Sequence, residues 1–107
     1  MDLIYIDDVV EGLDQAMTAE RVVGETIPIG TGVETTVNEL AKLVIELTDS
    51  KSEVEHLPLR RGEIPKTRLC ADIMKMKKIL NFTARYNLEQ GLSKTIRWWR
   101  RSSSKIC

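Results

Sequence analysis

Apolar residues return every three or four positions along four stretches of this chain and alternate with polar ones along two others. From 8 to 23, Val9, Leu13, Ala16 and Met17 share a helical face. Asp7 and Asp8 stand where a helix start wants a cap, and Gly24 follows as a left-handed stop. "ETIPIG", 25 to 30, is short and β-branched and predicts a strand, confined by Pro28 to a sheet edge. "TTVNELAKLVIEL" pairs Thr36 with Glu39 as a capping box ahead of a stripe of Val37, Leu40, Ala41, Val44 and Leu47. "SEVEHLP", 52 to 58, alternates like a strand. Asp72 can cap a third helix carrying Ile73, Met76, Ile79 and Leu80 and ending near Asn81. Asn87 and Gln90 form a second capping box, behind which Leu88, Leu92, Thr95, Ile96 and Trp99 predict a last helix to about Arg101.

These elements predict an α/β fold: a small domain of about four helices with two or three short strands, spanning 1–101, followed by a disordered tail at 102–107. A chain of 107 residues buries only about two thirds of its unfolded surface, so its core is modest. The predicted strands are too few to make the sheet that four amphipathic helices ordinarily cover.

Charge and composition narrow the function. Sixteen basic residues balance sixteen acidic ones, which removes the bulk attraction most nucleic-acid binders use. A local cationic run from Lys94 to Lys105 without an acid complements the negative end of the last helix. No apolar run reaches membrane length, and "MDLIYIDDVV" lacks the basic and apolar regions of a secretory signal. The expectation is a cytoplasmic protein binding neither nucleic acid nor membrane. Cys70 and Cys107 have no metal-site spacing and read as free thiols.

Most candidate chemistry dissolves on inspection. "GTG", Gly30 to Gly32, precedes a helix but lacks the third glycine and the Lys-Ser/Thr pair of a phosphate loop. His56 stands alone among acids with no second metal ligand near it. Asp7 and Asp8 are neighbours that diverge on a helix, so they make no acid/base pair. One stretch survives: "LPLRRGEIPKTRL", 57 to 69, in which two prolines fix the backbone and Gly62 frees it. Arg60 and Arg61 offer forked donors suited to phosphate, and Glu63 offers an acceptor suited to sugar hydroxyls. A surface arginine pair with a salt-bridging glutamate is the plainer alternative.

The order of segments adds what no single stretch supplies. "LIYIDDVVEGLDQAM", "GETIPIGTGVETTVNELAKLVIEL", "LPLRRGEIPKTRLCADIMKMKKIL" and "NLEQGLSKTIRWW" together resemble the C-terminal, substrate-binding part of the extended short-chain dehydrogenases. Within that family the likeness is to the NAD-dependent nucleotide-sugar epimerases and dehydratases, over about residues 1 to 99. The resemblance implies that the 25–30 strand returns to the edge of a dinucleotide-binding sheet. It also implies that Pro58, Leu59, Arg60, Arg61, Gly62 and Glu63 occupy the family's P-R-R-x-G-D loop. Arg60 then meets the nucleotide diphosphate, Glu63 the ribose, and Arg61 falls at a variable position. Four departures stand out. Met1 replaces an arginine that also approaches the diphosphate, Pro28 replaces the usual asparagine, Glu63 replaces aspartate, and Thr67 stands where some members have an aromatic.

The family's glycine-rich G-x-x-G-x-x-G turn and its Tyr-x-x-x-Lys pair have no counterpart here. The resemblance therefore implies a nucleoside diphosphate sugar as ligand and NAD only in the full-length family. This chain alone would carry no catalytic residue, cofactor or metal. It also implies a partner, either the missing Rossmann half or a second copy met through an exposed apolar patch. A stand-alone binding or interaction module descended from the family is the alternative reading. A nucleic-acid or membrane binder using the cationic run is the third.

Overall fold

The computed structural model describes the backbone of residues 1–106 and the side chains of residues 1–102. Four helices follow in order: α1 (Ile6–Thr18), α2 (Val37–Thr48), α3 (Met74–Ile79) and α4 (Leu88–Ile106). The described residues contain no β-strand, so the two or three expected strands are absent. A strand exists only as a partner in a ladder, and neither 25–30 nor 52–58 finds a second strand within this chain. Residues 27 and 29 instead turn their side chains into the core, while 52–58 lies wholly exposed.

Local signals hold where they depend on nearby residues. The Thr36 hydroxyl accepts from the Glu39 N–H at 3.1 Å, and the Glu39 carboxylate accepts from the Thr36 N–H at 2.8 Å. Asn87 and Gln90 close the same box at the start of α4, at 2.8 and 3.0 Å. Asp72 accepts from the Met74 N–H at 3.0 Å from one residue before the cap position, which is held by Ile73 without a side-chain bond, and Asn81 takes a positive φ of 49° just past α3. Two helix ends differ from expectation. α1 stops at Thr18 and Gly24, although left-handed at φ 78°, belongs to a later turn. α4 runs on to Ile106, past the expected end at Arg101 and through most of the expected tail; Cys107 lies outside the described residues.

The core is small. Met76, Leu80 and Phe82 are buried, with Ala16, Ala19, Val22, Ile27, Ile29, Ile73 and Ile79 packed around them. Two glycines permit the close approaches that assemble it. A Cβ at Gly12 would stand 3.0 Å from Ile29, and one at Gly91 only 2.9 Å from Tyr5. Tyr5 then meets Tyr86 edge to face at 5.0 Å, and Lys94 caps the Tyr86 ring at 5.2 Å. α2 packs against α4.

The whole is open for its size. Its radius of gyration is 16.9 Å, against about 13 Å for a compact chain of this length. Its accessible surface of 8932 Å² is half again the ~6,000 Å² of a self-contained protein of this mass.

Candidate functional site

Residues 51–70 are exposed without exception, so the 57–69 loop projects from the body instead of lining it. Its shape comes from one turn. The Arg60 carbonyl accepts from the Glu63 N–H at 3.0 Å, and Gly62 has φ 87° while Arg61 keeps a negative φ. That combination is a type II β-turn, whose third position needs glycine. The turn folds Glu63 back so that its carboxylate accepts from the Arg60 N–H at 2.8 Å and meets the Arg60 guanidinium at 3.5 Å.

The two sequence-predicted site residues are thus brought together in one turn. The stronger of the two bonds is to backbone, and together they hold the Glu63 carboxyl below its ordinary value: first the Arg60 N–H, then the Arg60 side chain. Arg60 remains 88% exposed and keeps most of its donor fork facing solvent. Arg61, one position further on, is exposed at the second position of the turn. The pair can present a cation and an oriented carboxylate to a ligand arriving from outside the chain. It does not enclose one.

Charges that the sequence reading passed over tie this loop to the body. Arg68 grips Glu34 with two nitrogens, at 2.6 Å from Nη2 and 2.9 Å from Nε. This bidentate bond lowers the Glu34 carboxyl and raises the Arg68 guanidinium. Three residues on, the Ala71 N–H donates to the Asp2 carboxylate at 3.2 Å. The same carboxylate accepts from the Thr31 hydroxyl at 2.6 Å, the Thr31 N–H at 3.1 Å and the Gly32 N–H at 2.9 Å. Partial burial pushes the Asp2 pKa up, but those four bonds outweigh it and hold the carboxyl below its ordinary range. Neither Asp2 nor the Glu34–Arg68 pair carries a local sequence signal, because each partner lies about thirty or more residues away.

Asp2 also decides what the "GTG" turn can do. Backbone N–H groups at a glycine turn ahead of a helix suit a phosphate, yet here they already bind a carboxylate. A Cβ at Gly30 would lie 2.5 Å from Ala71 and 2.9 Å from Asp2, so the glycine serves close packing. This turn therefore has no free Thr31 or Gly32 N–H to offer a dinucleotide phosphate.

Asp8 is the other acid with a role unlike the expected one. It does not cap α1, whose N-cap Tyr5 makes no side-chain bond. It is 1% exposed and accepts from the Arg85 and Tyr86 N–H groups, both at 3.0 Å, pinning the approach to α4. His56 is exposed, and no metal-binding cluster of His, Cys, Asp or Glu occurs among the described residues. No described helix is long and apolar enough to cross a membrane. Away from the loop, an open cleft of about 810 Å³ lies between residues 3–7, Leu40 of α2 and one side of α4.

A scan against protein-family models finds no match. Individual proteins do match. The chain is 36% identical over 102 residues to a UDP-N-acetyl-alpha-D-glucosaminuronate decarboxylase of Bacillus cytotoxicus, covering 90% of this chain and 31% of that protein. It is 29% identical over 102 residues to a UDP-glucose 4-epimerase of Mycolicibacterium smegmatis, covering 95% of this chain and 32% of the relative. Among solved structures, an epimerase from Methanothermobacter thermautotrophicus superposes with a TM-score of 0.91 at 31% identity, over 98% of this chain and 31% of the other. A UDP-glucose 4-epimerase from Thermotoga maritima, solved with UDP-glucose, gives 0.82 at 38% identity, over 94% of this chain and 31% of the other. The chain spans about a third of the length of the relatives it matches. In sequence and in fold alike, the chain is similar to about a third of these UDP-sugar epimerases and decarboxylases, matching a C-terminal portion of their fold.

Proposed function

We propose that this chain is the nucleotide-diphosphate-sugar-binding portion of an NAD-dependent epimerase or dehydratase and is not catalytic by itself. The observation that carries this reading is the exposed Arg60–Glu63 turn, in a chain 38% identical to an epimerase solved with UDP-glucose. Arg60 supplies a charge-assisted donor to the diphosphate. Glu63, already oriented by the Arg60 N–H, supplies an acceptor to the ribose hydroxyls. Arg61 at the corner of the turn contributes long-range attraction at most. The dinucleotide and the groups that move the hydride and the proton belong to the part of the fold outside these residues, consistent with the occupied "GTG" turn.

The test is a titration of the chain with UDP-glucose followed by amide NMR shifts. Shifts concentrated at residues 58–69 are expected. Unmoved resonances there at millimolar ligand would overturn the reading.

A further inference from the structure

Among the described residues, three other than glycine take a positive φ: Asp49 at 50°, Lys66 at 59° and Asn81 at 49°. Asp49 and Asn81 follow the ends of α2 and α3, and their short polar side chains tolerate the left-handed region. Lys66 has neither reason. It lies within the exposed 57–69 loop, away from any helix end.

Its conformation comes from a second turn placed directly behind the first. Ile64, Pro65, Lys66 and Thr67 reverse the chain, and the Thr67 hydroxyl donates to the Ile64 carbonyl at 2.8 Å. Proline second and a positive φ third is the type II pattern, as at Arg60–Glu63. The first turn fills its third position with Gly62, where an added Cβ would meet nothing, so glycine is there for its conformation alone. The second fills the same position with lysine, at a cost in stability that glycine would not incur. A strained residue kept in a candidate binding loop points to a use for its side chain.

Charge indicates the use. A nucleoside diphosphate sugar carries one negative charge on each phosphate. Within 57–69, Arg60 is paired with Glu63 at 3.5 Å and Arg68 is held by Glu34 at 2.6 Å. The Arg60–Glu63 pair is neutral as a unit, so a diphosphate needs a cation from outside it. The side chains of Arg61 and Lys66 are exposed and make no hydrogen bond or ion pair among the described residues. Of the two, only Lys66 is kept where its backbone disfavours it.

We propose that Lys66 is a second phosphate-binding cation of this loop, an assignment that rests on reading the loop as a nucleotide-diphosphate-sugar site. Arg60 meets one phosphate and the Lys66 ammonium the other. Lysine suits the role because its ammonium is a compact point charge on a flexible stem, able to follow a phosphate from an exposed turn.

The experiment titrates the chain and its Lys66→Gly and Lys66→Met variants with UDP-glucose and, separately, with inorganic pyrophosphate, read by amide NMR shifts at 58–69. Both variants should weaken both ligands about fivefold or more, the size of one charge-assisted bond discounted for solvent screening. Lys66→Gly should leave the urea unfolding midpoint unchanged or raise it, because glycine takes a positive φ freely, whereas Lys66→Met keeps the strain and removes only the charge. Weaker binding in both variants without loss of stability therefore isolates the ammonium. Either variant binding as tightly as the parent chain would overturn the assignment. Where the parent takes UDP-glucose and the variants match it, Lys66 falls and the nucleotide reading stands. Where pyrophosphate binds through Lys66 but UDP-glucose moves nothing at 58–69, the nucleotide reading falls and the cation stands. A parent chain that binds neither ligand sinks both.

Discussion

Asp2 and Asp8 on one side, and Glu63 on the other, do the same chemical thing in opposite surroundings. Each carboxylate accepts hydrogen bonds from backbone N–H groups. Asp8 does so at 1% exposure and bonds residues 77 and 78 positions away, while Glu63 bonds Arg60, three positions back, in a loop open to solvent. The first kind of bond joins distant segments and so fixes the fold. The second only shapes a turn. An acid that holds the architecture together is costly to lose, whereas an acid that shapes a surface turn is free to exchange its partner for a ligand.

The largest break in this contrast should come from Asp8→Ala. Two interior N–H groups lose their acceptor, and the expected loss is about 3 kcal/mol of unfolding free energy, read from urea denaturation. Glu63→Ala should leave the same denaturation midpoint in place. If the two variants unfolded alike, the distinction between fold-fixing and turn-shaping acids would fail here.

Acid sharpens the comparison next. The folded Asp2 carboxyl lies below its ordinary value of 3.8, so its contribution is complete above about pH 4 and is lost as pH falls through the lower, folded pKa. Asp2→Asn should lower stability at neutral pH and flatten the acid loss below pH 4, measured as unfolding midpoint against pH. An acid limb unchanged by the substitution would place the titrating group elsewhere.

Binding separates the two arginines of the turn. Arg60→Ala should weaken UDP-glucose about tenfold, the size of one charge-assisted bond, and Arg61→Ala by less than about twofold. The reverse order would shift the register of the turn by one residue. The smallest effect belongs to Arg68→Ala. Hydrogen exchange should quicken across 57–69 while the unfolding midpoint stays put, because an exposed ion pair orders a loop more than it stabilises a fold. Exchange confined to the old rate would mean that Asp2 and Ala71 alone set the loop.

The helices at 37–48 and 74–79, and the last helix as far as about Arg101, were legible in the sequence because capping residues and apolar spacing act within one or two turns. The Arg60–Glu63 turn was legible as well, since Gly62 and its neighbours determine it locally. The strands at 25–30 and 52–58 were not. β-branched residues and alternation describe a segment that fits a sheet, but pairing requires a second strand that these residues do not meet.

Sequence by itself thus determined the elements whose bonds close over three or four residues, and the segment order by which the chain resembles its relatives. Tertiary structure alone decided which side of each element faces in. α1 looks like an ordinary amphipathic helix, and nothing in its spacing says that Asp8 is interior and Leu13 exterior. That choice is made by the Arg85 and Tyr86 N–H groups, which need an acceptor, and by Gly12, whose missing side chain lets Ile29 and Phe82 approach. Periodicity marks a face, but only the groups that meet it in space settle whether that face is buried within the chain or left outside.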